Sequence, residues 1–172
     1  MGEYNDVLYI FREYLNMFKF KKLLTTSMTS KGVVISINIS KKKGEQKSPV
    51  AYANITEIGL EGDAHAGDWH RQISLLAEHS IEKMRGKGIE IKHGDFAENI
   101  TVGGITLSNV TIGQKIQIGN SVLLEITQIG KECHESCLIR QTVGDCVMPR
   151  EGIFGKVITG GAIRVQDKII LL

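Results

Sequence analysis

The stretch that decides the fold is residues 115–127, which read KIQIGNSVLLEIT. Two apolar runs rich in isoleucine, leucine and valine flank Gly119 and Asn120. A two-residue Gly-Asn turn supplies the positive φ that a tight β-hairpin requires. We therefore predict two antiparallel strands joined by this turn.

Short strands are predicted on both sides of this hairpin. Towards the C-terminus, residues 155–165 contain two further runs around a Gly-Gly pair and predict a second hairpin. Further strands are predicted over residues 33–38, 49–58, 73–77 and 168–172 and within 94–104, and a short helix over 78–86. The chain contains 19 glycines, and many short strands at close spacing are typical of a barrel. The sequence predicts a mainly β, twisted, barrel-like fold with a few short helices.

Residues 1–30 differ in character from the rest of the chain. Between Asn5 and Thr25 apolar residues recur near helical spacing, and residues 25–32, TTSMTSKG, resemble a linker. We expect an N-terminal helical extension and linker over 1–30 and a compact domain over 31–172. Three alternatives remain open for the extension: it packs on the domain, it mediates self-association into a homo-oligomer, or it is poorly ordered.

Composition excludes several classes of protein. A chain of 172 residues with 42% apolar content can form one domain with a substantial core. The 21 basic and 19 acidic residues nearly cancel, so nonspecific nucleic-acid binding is not indicated, and we interpret residues 41–47, KKKGEQK, as a solvated loop. No apolar segment approaches the roughly 20 residues that cross a bilayer. The N-terminus, MGEYNDVLYIF, also lacks a basic secretory n-region, so we expect a cytoplasmic protein with reduced cysteines.

All three cysteines lie within residues 128–149, QIGKECHESCLIRQTVGDCVMP. They are Cys133, Cys137 and Cys146, and their basic neighbours are Lys131, His134, Arg140 and Arg150. Positive charge favours the thiolate, so one interpretation is a nucleophilic or sulfur-carrying cysteine. A second is a zinc site formed by the three sulfurs with a histidine, since Cys-x3-Cys lies within the usual ligand spacing. The third is that one or more of the cysteines fills the core.

A glycine-rich loop, residues 59–72, contains two histidines, two aspartates and an arginine. Such a loop can bring its backbone close to an anion or a metal. Alternatively it is a structured turn in which Asp63 and Asp68 accept hydrogen bonds from backbone N–H groups. Glu98 and Asn99 also allow two interpretations: either they position a ligand or they connect two turns.

Five separated segments resemble the MOSC domain, named for the C-terminal domain of molybdenum cofactor sulfurase. They are Gly62-Asp63-x-His65-x-Gly67 with 71–76 (RQISLL), 94–101 (GDFAENIT), Gly113-x4-Ile118-Gly119 with 124–128 (LEITQ), Cys133, and 152–157 (GIFGKV) with Gly160-Gly161. The resemblance covers about residues 31–172 in consistent order, and the first 30 residues lie outside it.

The resemblance implies a twisted barrel-like domain that binds the molybdenum cofactor, with molybdenum or tungsten, and carries or transfers sulfur through a cysteine. By position, Cys133 matches the family's usual cysteine. The sequence departs from the family at residues 129–132, IGKE, where prolines and a basic residue are common. Cys137 or Cys146 could therefore share the role. No pyridoxal-phosphate desulfurase domain is recognisable, so sulfur would have to come from another protein.

On this resemblance, specific side chains are expected at a cofactor site. Arg71, Lys131, Arg140 and Arg150 are candidates for the phosphate, and His65 and Asn99 for the pocket lining. Three hypotheses follow: a cofactor-binding sulfur carrier or delivery factor, a reductase component for N-hydroxylated compounds, and a non-enzymatic zinc-binding adaptor of a molybdoenzyme. The expected partners are the molybdenum cofactor and a molybdoenzyme or cofactor-biosynthesis protein.

Overall fold

The computed structural model describes residues 30–132 and 138–172, which contain eleven strands and three short helices. The strands are β1 (Lys31–Ile39), β2 (Ser48–Val50), β3 (Tyr52–Thr56), β4 (Gly59–Leu60), β5 (Ile73–Ala77), β6 (Ile100–Gly103), β7 (Lys115–Ile118), β8 (Val122–Ile129), β9 (Ile153–Thr159), β10 (Gly161–Arg164) and β11 (Lys168–Leu171). The helices are α1 (Glu78–Arg85), α2 (Leu138–Val143) and α3 (Met148–Glu151).

Seven strands close into a barrel in the order β11-β7-β8-β9-β5-β6-β1, and the β1–β11 pair completes the circle. Strand β2 is attached to the outside edge of β1, while β10, β3 and β4 form a separate three-stranded sheet. Only the β5–β6 pair among the described strands is parallel. The predicted mainly β, barrel-like fold with few helices is confirmed.

The hairpin at residues 115–127 is confirmed, with a different turn. Strands β7 and β8 pair in antiparallel register, and Ile118 faces Val122. The loop therefore contains Gly119, Asn120 and Ser121, one residue more than predicted. Gly119 adopts φ 60°, which supplies the left-handed conformation the turn requires.

The second predicted hairpin is wrong. Strand β9 pairs with β8 and β5 inside the barrel, whereas β10 leaves the barrel and pairs with β3, with Ile163 opposite Ala53. Gly160 explains the divergence, because a Cβ at this residue would lie 2.3 Å from the carbonyl oxygen of Ile55. Only glycine allows this close approach, so the chain crosses from one sheet to the other here.

The remaining strand predictions are confirmed apart from one division. Strand β5, helix α1 and strand β11 occupy the predicted positions. Residues 49–58, predicted as one strand, are divided at Ala51 into the end of β2 and β3. This break sends β2 to the barrel and β3 to the small sheet.

Two apolar clusters stabilise the domain. The larger fills the barrel and contains Val34, Ile37, Leu75, Ile100, Ile116, Leu124 and Ile169 among others. The smaller lies between the barrel wall and the helices and contains Leu76, Ile81, Met84, Phe96, Cys146, Met148 and Phe154 among others. Burying a large aliphatic or phenylalanine side chain in these clusters stabilises the fold by about 1.5–3 kcal/mol relative to leaving it exposed.

Some predictions fall outside the described residues. The helix over 5–25 and any helix at Cys133 belong to this group, and the division into 1–30 and 31–172 stays a prediction. Among the residues that the structure describes, no helix is long and apolar enough to cross a membrane.

Candidate functional site

The glycine-rich loop between β4 and β5 is held by Gln72. This buried side chain donates from Nε2 to the carbonyl oxygens of Glu57 (2.9 Å) and Gly67 (3.0 Å). Its Oε1 accepts the backbone N–H of Val157 on β9 (2.8 Å). The loop is therefore a fixed platform on the barrel wall.

A buried polar cluster joins this loop to Ser40 and Lys47. Lys47 Nζ donates to Asp63 Oδ2 and lies 3.3 Å from His65 Nδ1 and 3.4 Å from Ser40 Oγ. Asp63 also accepts the backbone N–H groups of Ser40 and His65, each at 3.0 Å. The turn interpretation is thus correct for Asp63. The solvated-loop interpretation is wrong for Lys47, whose side chain is 1% exposed because it pairs with Asp63.

Asp63 is ionised in this cluster. Burial alone would raise the pKa of its carboxyl, but contacts with the side chains of His65 and Lys47 and with two backbone N–H groups hold the pKa well below its usual range. The folded pKa is lowered, so the stability it contributes is present above the usual carboxyl pKa and is lost as the pH falls below it.

The Lys47 ammonium responds to burial and to its neighbours. Burial lowers its pKa, and the hydrogen bond and charge of Asp63 and the charge of Glu98 offset part of this effect. The positive charge of Lys131 lowers the pKa further, which places Lys131 in the same electrostatic neighbourhood.

Arg71 extends the cationic region across the loop. Its guanidinium carbon lies 4.9 Å from the ring centroid of Trp69 and 5.8 Å from that of Phe154. Trp69 is itself fixed, because its Nε1 donates to the carbonyl oxygen of His65 (2.9 Å). The Nε–H of Arg71 is buried without a hydrogen-bond acceptor among the described residues. A desolvated arginine donor without a partner is suited to an anionic ligand.

The end of β8 is fixed beside the same loop. Gln128 contacts His70 Nε2 (3.1 Å) and donates to the carbonyl oxygen of Gly130 (2.6 Å). Gly130 has φ 69°, and a Cβ there would lie 2.1 Å from the carbonyl oxygen of Pro149. The backbone at Gly130, immediately before residues 131–132, is therefore held against Pro149.

Two predicted phosphate ligands are placed differently. Arg140 is exposed on α2. Arg150, on α3, pairs with Asp145 (2.9 Å), which also accepts from Lys87 (2.6 Å). These two contacts hold the pKa of Asp145 well below its usual range. The structure therefore gives Arg150 an acidic partner of its own.

Asn99 lies in the core, where it is 2% exposed. Its Oδ1 accepts from Ser74 Oγ (2.9 Å) and from Ser74 N–H (3.1 Å), and its Nδ2 donates to the carbonyl oxygen of Asn38 (3.4 Å). These contacts connect the start of β6 to β5 and β1. They correspond to the interpretation in which Asn99 connects backbone segments.

Of the three cysteines, the structure describes Cys146. Cys133 and Cys137 lie outside the described residues, so their roles stay predictions. Cys146 is 4% exposed and packs in the smaller apolar cluster, as the core-filling interpretation proposes. Within residues 30–132 and 138–172, no group of three histidine, cysteine or acidic side chains could hold a metal.

Glu98 is the second unusual buried carboxyl. It is fully buried, and its Oε1 accepts the N–H of Gly94 (2.6 Å) and the hydroxyl of Thr101 (3.0 Å). Its Oε2 has no hydrogen-bond partner among the described residues. Burial raises the pKa of Glu98 above its ordinary value, although these hydrogen bonds oppose the shift. The folded state therefore holds this proton more tightly than the unfolded chain does.

Glu98→Gln should remove a pH-dependent loss of stability. The folded pKa is raised, so the stabilising contribution is complete below the usual glutamate pKa and is lost as the pH rises above it. Across that window, the free energy of unfolding should shift in favour of the variant by up to about 1.4 kcal/mol per pH unit. Urea unfolding at a series of pH values tests this. Glu90→Gln, on an exposed carboxyl, controls for net charge, and parallel curves for Glu98→Gln and wild type would contradict the prediction.

Sequence reasoning missed Lys47 and the aromatic partners of Arg71. Lys47 stands at the end of a lysine-rich run, and no local pattern separates it from its exposed neighbours. Phe154 is far from Arg71 along the chain, so only tertiary structure brings them together. A sequence signal existed for Asp63, because Gly62-Asp63 is a typical turn pair.

A family model for the MOSC domain matches residues 62–170. The chain therefore belongs to the MOSC domain family, which is associated with the molybdenum cofactor. Among curated proteins, no sequence matches this chain significantly.

Solved structures show the same fold. The YuaD protein of Bacillus subtilis aligns with a TM-score of 0.69 and 18% identity, over 81% of this chain and 94% of that chain. YiiM from Geobacillus stearothermophilus aligns with a TM-score of 0.63 and 22% identity, over 82% and 75%. YiiM from Escherichia coli aligns with a TM-score of 0.59 and 20% identity, over 82% and 69%. At these identities the likeness concerns the fold alone.

Proposed function

We propose that this chain binds the molybdenum cofactor, or its tungsten counterpart, and carries or delivers sulfur to it through Cys133. The observation that carries the proposal is the buried Nε–H of Arg71, which has no acceptor among the described residues. The cofactor's phosphate would supply that acceptor. Charge-assisted hydrogen bonds between arginine and phosphate are among the strong ones in proteins.

The surroundings of Arg71 support an anion rather than a neutral ligand. His65 is connected to Trp69, and Trp69 to Arg71, by the contacts described above. Lys131 acts on the nearby Lys47 through its charge. We assign the phosphate to Arg71 and Lys131, with His65 at the edge of the site. Arg140 and Arg150 remain weaker candidates, since Arg150 already pairs with Asp145.

The cofactor, when bound, supplies a thiophilic metal held by a pterin dithiolene. Such a metal favours a soft sulfur ligand. Cys133 is two residues beyond Lys131, and Gly130 fixes the chain immediately before them. A Cys133 thiolate, which basic residues adjacent in the sequence would favour, would bind the metal, or would take the outer sulfur of a donor protein's persulfide, releasing the donor thiolate, and hold it for transfer. A molybdoenzyme or a cofactor-biosynthesis protein would be the recipient.

Metal and pterin analysis of anaerobically purified protein tests the proposal. The wild-type protein, supplied with cofactor, should retain pterin with molybdenum or tungsten, and Cys133→Ala should lose the metal and any transferable sulfur. Cys146→Ala shows whether the buried third cysteine, whose charge acts on Arg150, takes part in loading. Cys137→Ala shows whether the second cysteine shares the role.

Two results would contradict this assignment. Unchanged loading in Cys133→Ala would overturn the role of that cysteine. Zinc alone, or no bound pterin in any variant, would overturn cofactor binding and favour the zinc-binding adaptor.

A further inference from the structure

The ammonium of Lys47 has a complete set of neighbours. A lysine ammonium has three N–H donors and accepts no hydrogen bond. Three atoms surround Nζ: Asp63 Oδ2, His65 Nδ1 at 3.3 Å and Ser40 Oγ at 3.4 Å. The lysine side chain is 1% exposed, so water does not replace any of them. All three donors are satisfied only if His65 Nδ1 carries a lone pair rather than a proton.

Asp63 is the competing partner for the same nitrogen. Its Oδ1 lies 3.5 Å from His65 Nδ1, which is longer than the contact with Lys47. A proton on Nδ1 donated to Asp63 is the arrangement in which the His65 side chain lowers the pKa of that carboxyl. Asp63, however, already accepts hydrogen bonds from Lys47 and from the backbone N–H groups of Ser40 and His65. A proton on Nδ1 would face the ammonium and leave one buried lysine donor without an acceptor.

We infer that Lys47 is a positioning residue that keeps Nδ1 of His65 as a hydrogen-bond acceptor, so that the ring carries its proton on Nε2. His65 is 28% exposed on its side chain, and its Nδ1 is occupied by the buried pair. The remaining ring nitrogen therefore offers an N–H donor to an anionic oxygen and cannot act as a base. Lys47 lies outside residues 62–170, so the family match does not include it. The ligand part of this inference rests on the proposed phosphate site.

The tautomer can be measured without any ligand. Long-range proton–nitrogen correlation NMR in mildly alkaline buffer distinguishes a protonated from an unprotonated ring nitrogen, and His65→Gln assigns the resonance. The wild-type protein should show an unprotonated Nδ1 and a protonated Nε2 at His65. A proton on Nδ1, or on both nitrogens, would overturn the inference.

A double variant tests the cause. Lys47→Met with Asp63→Asn removes both buried charges together, so no unpaired charge opposes folding. In this variant His65 Nδ1 can donate to the amide oxygen that replaces the carboxylate, and the proton should move to Nδ1. Lys92→Met, at an exposed lysine, should leave the tautomer unchanged. An Nε2 proton retained in the double variant would overturn the role of Lys47.

Inorganic phosphate, used as the probe, separates the tautomer from the proposed function. Phosphate should shift the resonances of His65 Nε2–H and Arg71 Nε–H together in the wild-type protein. A shift at Arg71 alone would overturn the donor role of His65. If neither resonance shifts, the phosphate site of the proposed function fails, while the tautomer measured without ligand still decides the part played by Lys47.

Discussion

Lys47→Met should lower the free energy of unfolding by about 3–5 kcal/mol at neutral pH, which is the usual effect of removing one partner of a buried ion pair. Methionine fills a similar volume, so packing is largely kept. The Asp63 carboxylate, 1% exposed, would lose its cationic partner and remain buried. Urea or guanidinium unfolding measures the difference.

The comparison with a double variant identifies the cause. Lys47→Met with Asp63→Asn should recover most of the lost stability, because both charges are absent. The loss of unfolding free energy caused by Lys47→Met should also be smaller in acid, where Asp63 becomes protonated. Lys92→Met should stay within about 0.5 kcal/mol of wild type, as expected for an exposed side chain. A Lys47→Met protein as stable as the Lys92→Met control would show that the pair contributes nothing.

The sequence predicts strands better than it predicts their partners. Strand β5 is recognisable from its short apolar run, ISLLA, and the β7–β8 hairpin from turn residues that are adjacent in the sequence. The pairing of β10 with β3 joins segments far apart in the chain, and the Gly160-Gly161 pair, whose second glycine begins β10, has the local pattern of a hairpin turn. What redirects the chain is a contact between Gly160 and Ile55 that no local pattern records.

The same distinction applies to the site. His65 and Arg71 could be predicted because they share a short glycine-rich loop, and glycines near charged residues are a local signal. The burial of Lys47 could not be predicted, since it depends on pairing with Asp63, 16 positions away along the chain. Arg150 differs from Lys47 because its partner is close in the sequence. Its acidic partner, Asp145, is only five positions away, but sequence alone does not show that the two side chains meet.

Arg71→Met should weaken the binding of a phosphate monoester by about tenfold to a hundredfold. A hydrogen bond to a charged group contributes about 1.5–3 kcal/mol, and each 1.4 kcal/mol corresponds to a factor of ten in affinity. Calorimetric titration with a phosphate monoester measures this loss. Arg164→Met is the matched control, because Arg164 is an exposed arginine on β10.

Arg71→Met should not lower the stability of the protein. Replacing an arginine that serves the fold would be expected to lower it. Without ligand, the buried Nε–H of Arg71 has no acceptor among the described residues, and its removal relieves an unsatisfied donor. Methionine keeps an apolar contact with Trp69 and Phe154, since thioethers pack well on aromatic rings. The variant should therefore unfold at the same temperature as wild type or above it. Unfolding at a clearly lower temperature, with phosphate affinity no weaker than in Arg164→Met, would mean that Arg71 serves the fold and not a ligand.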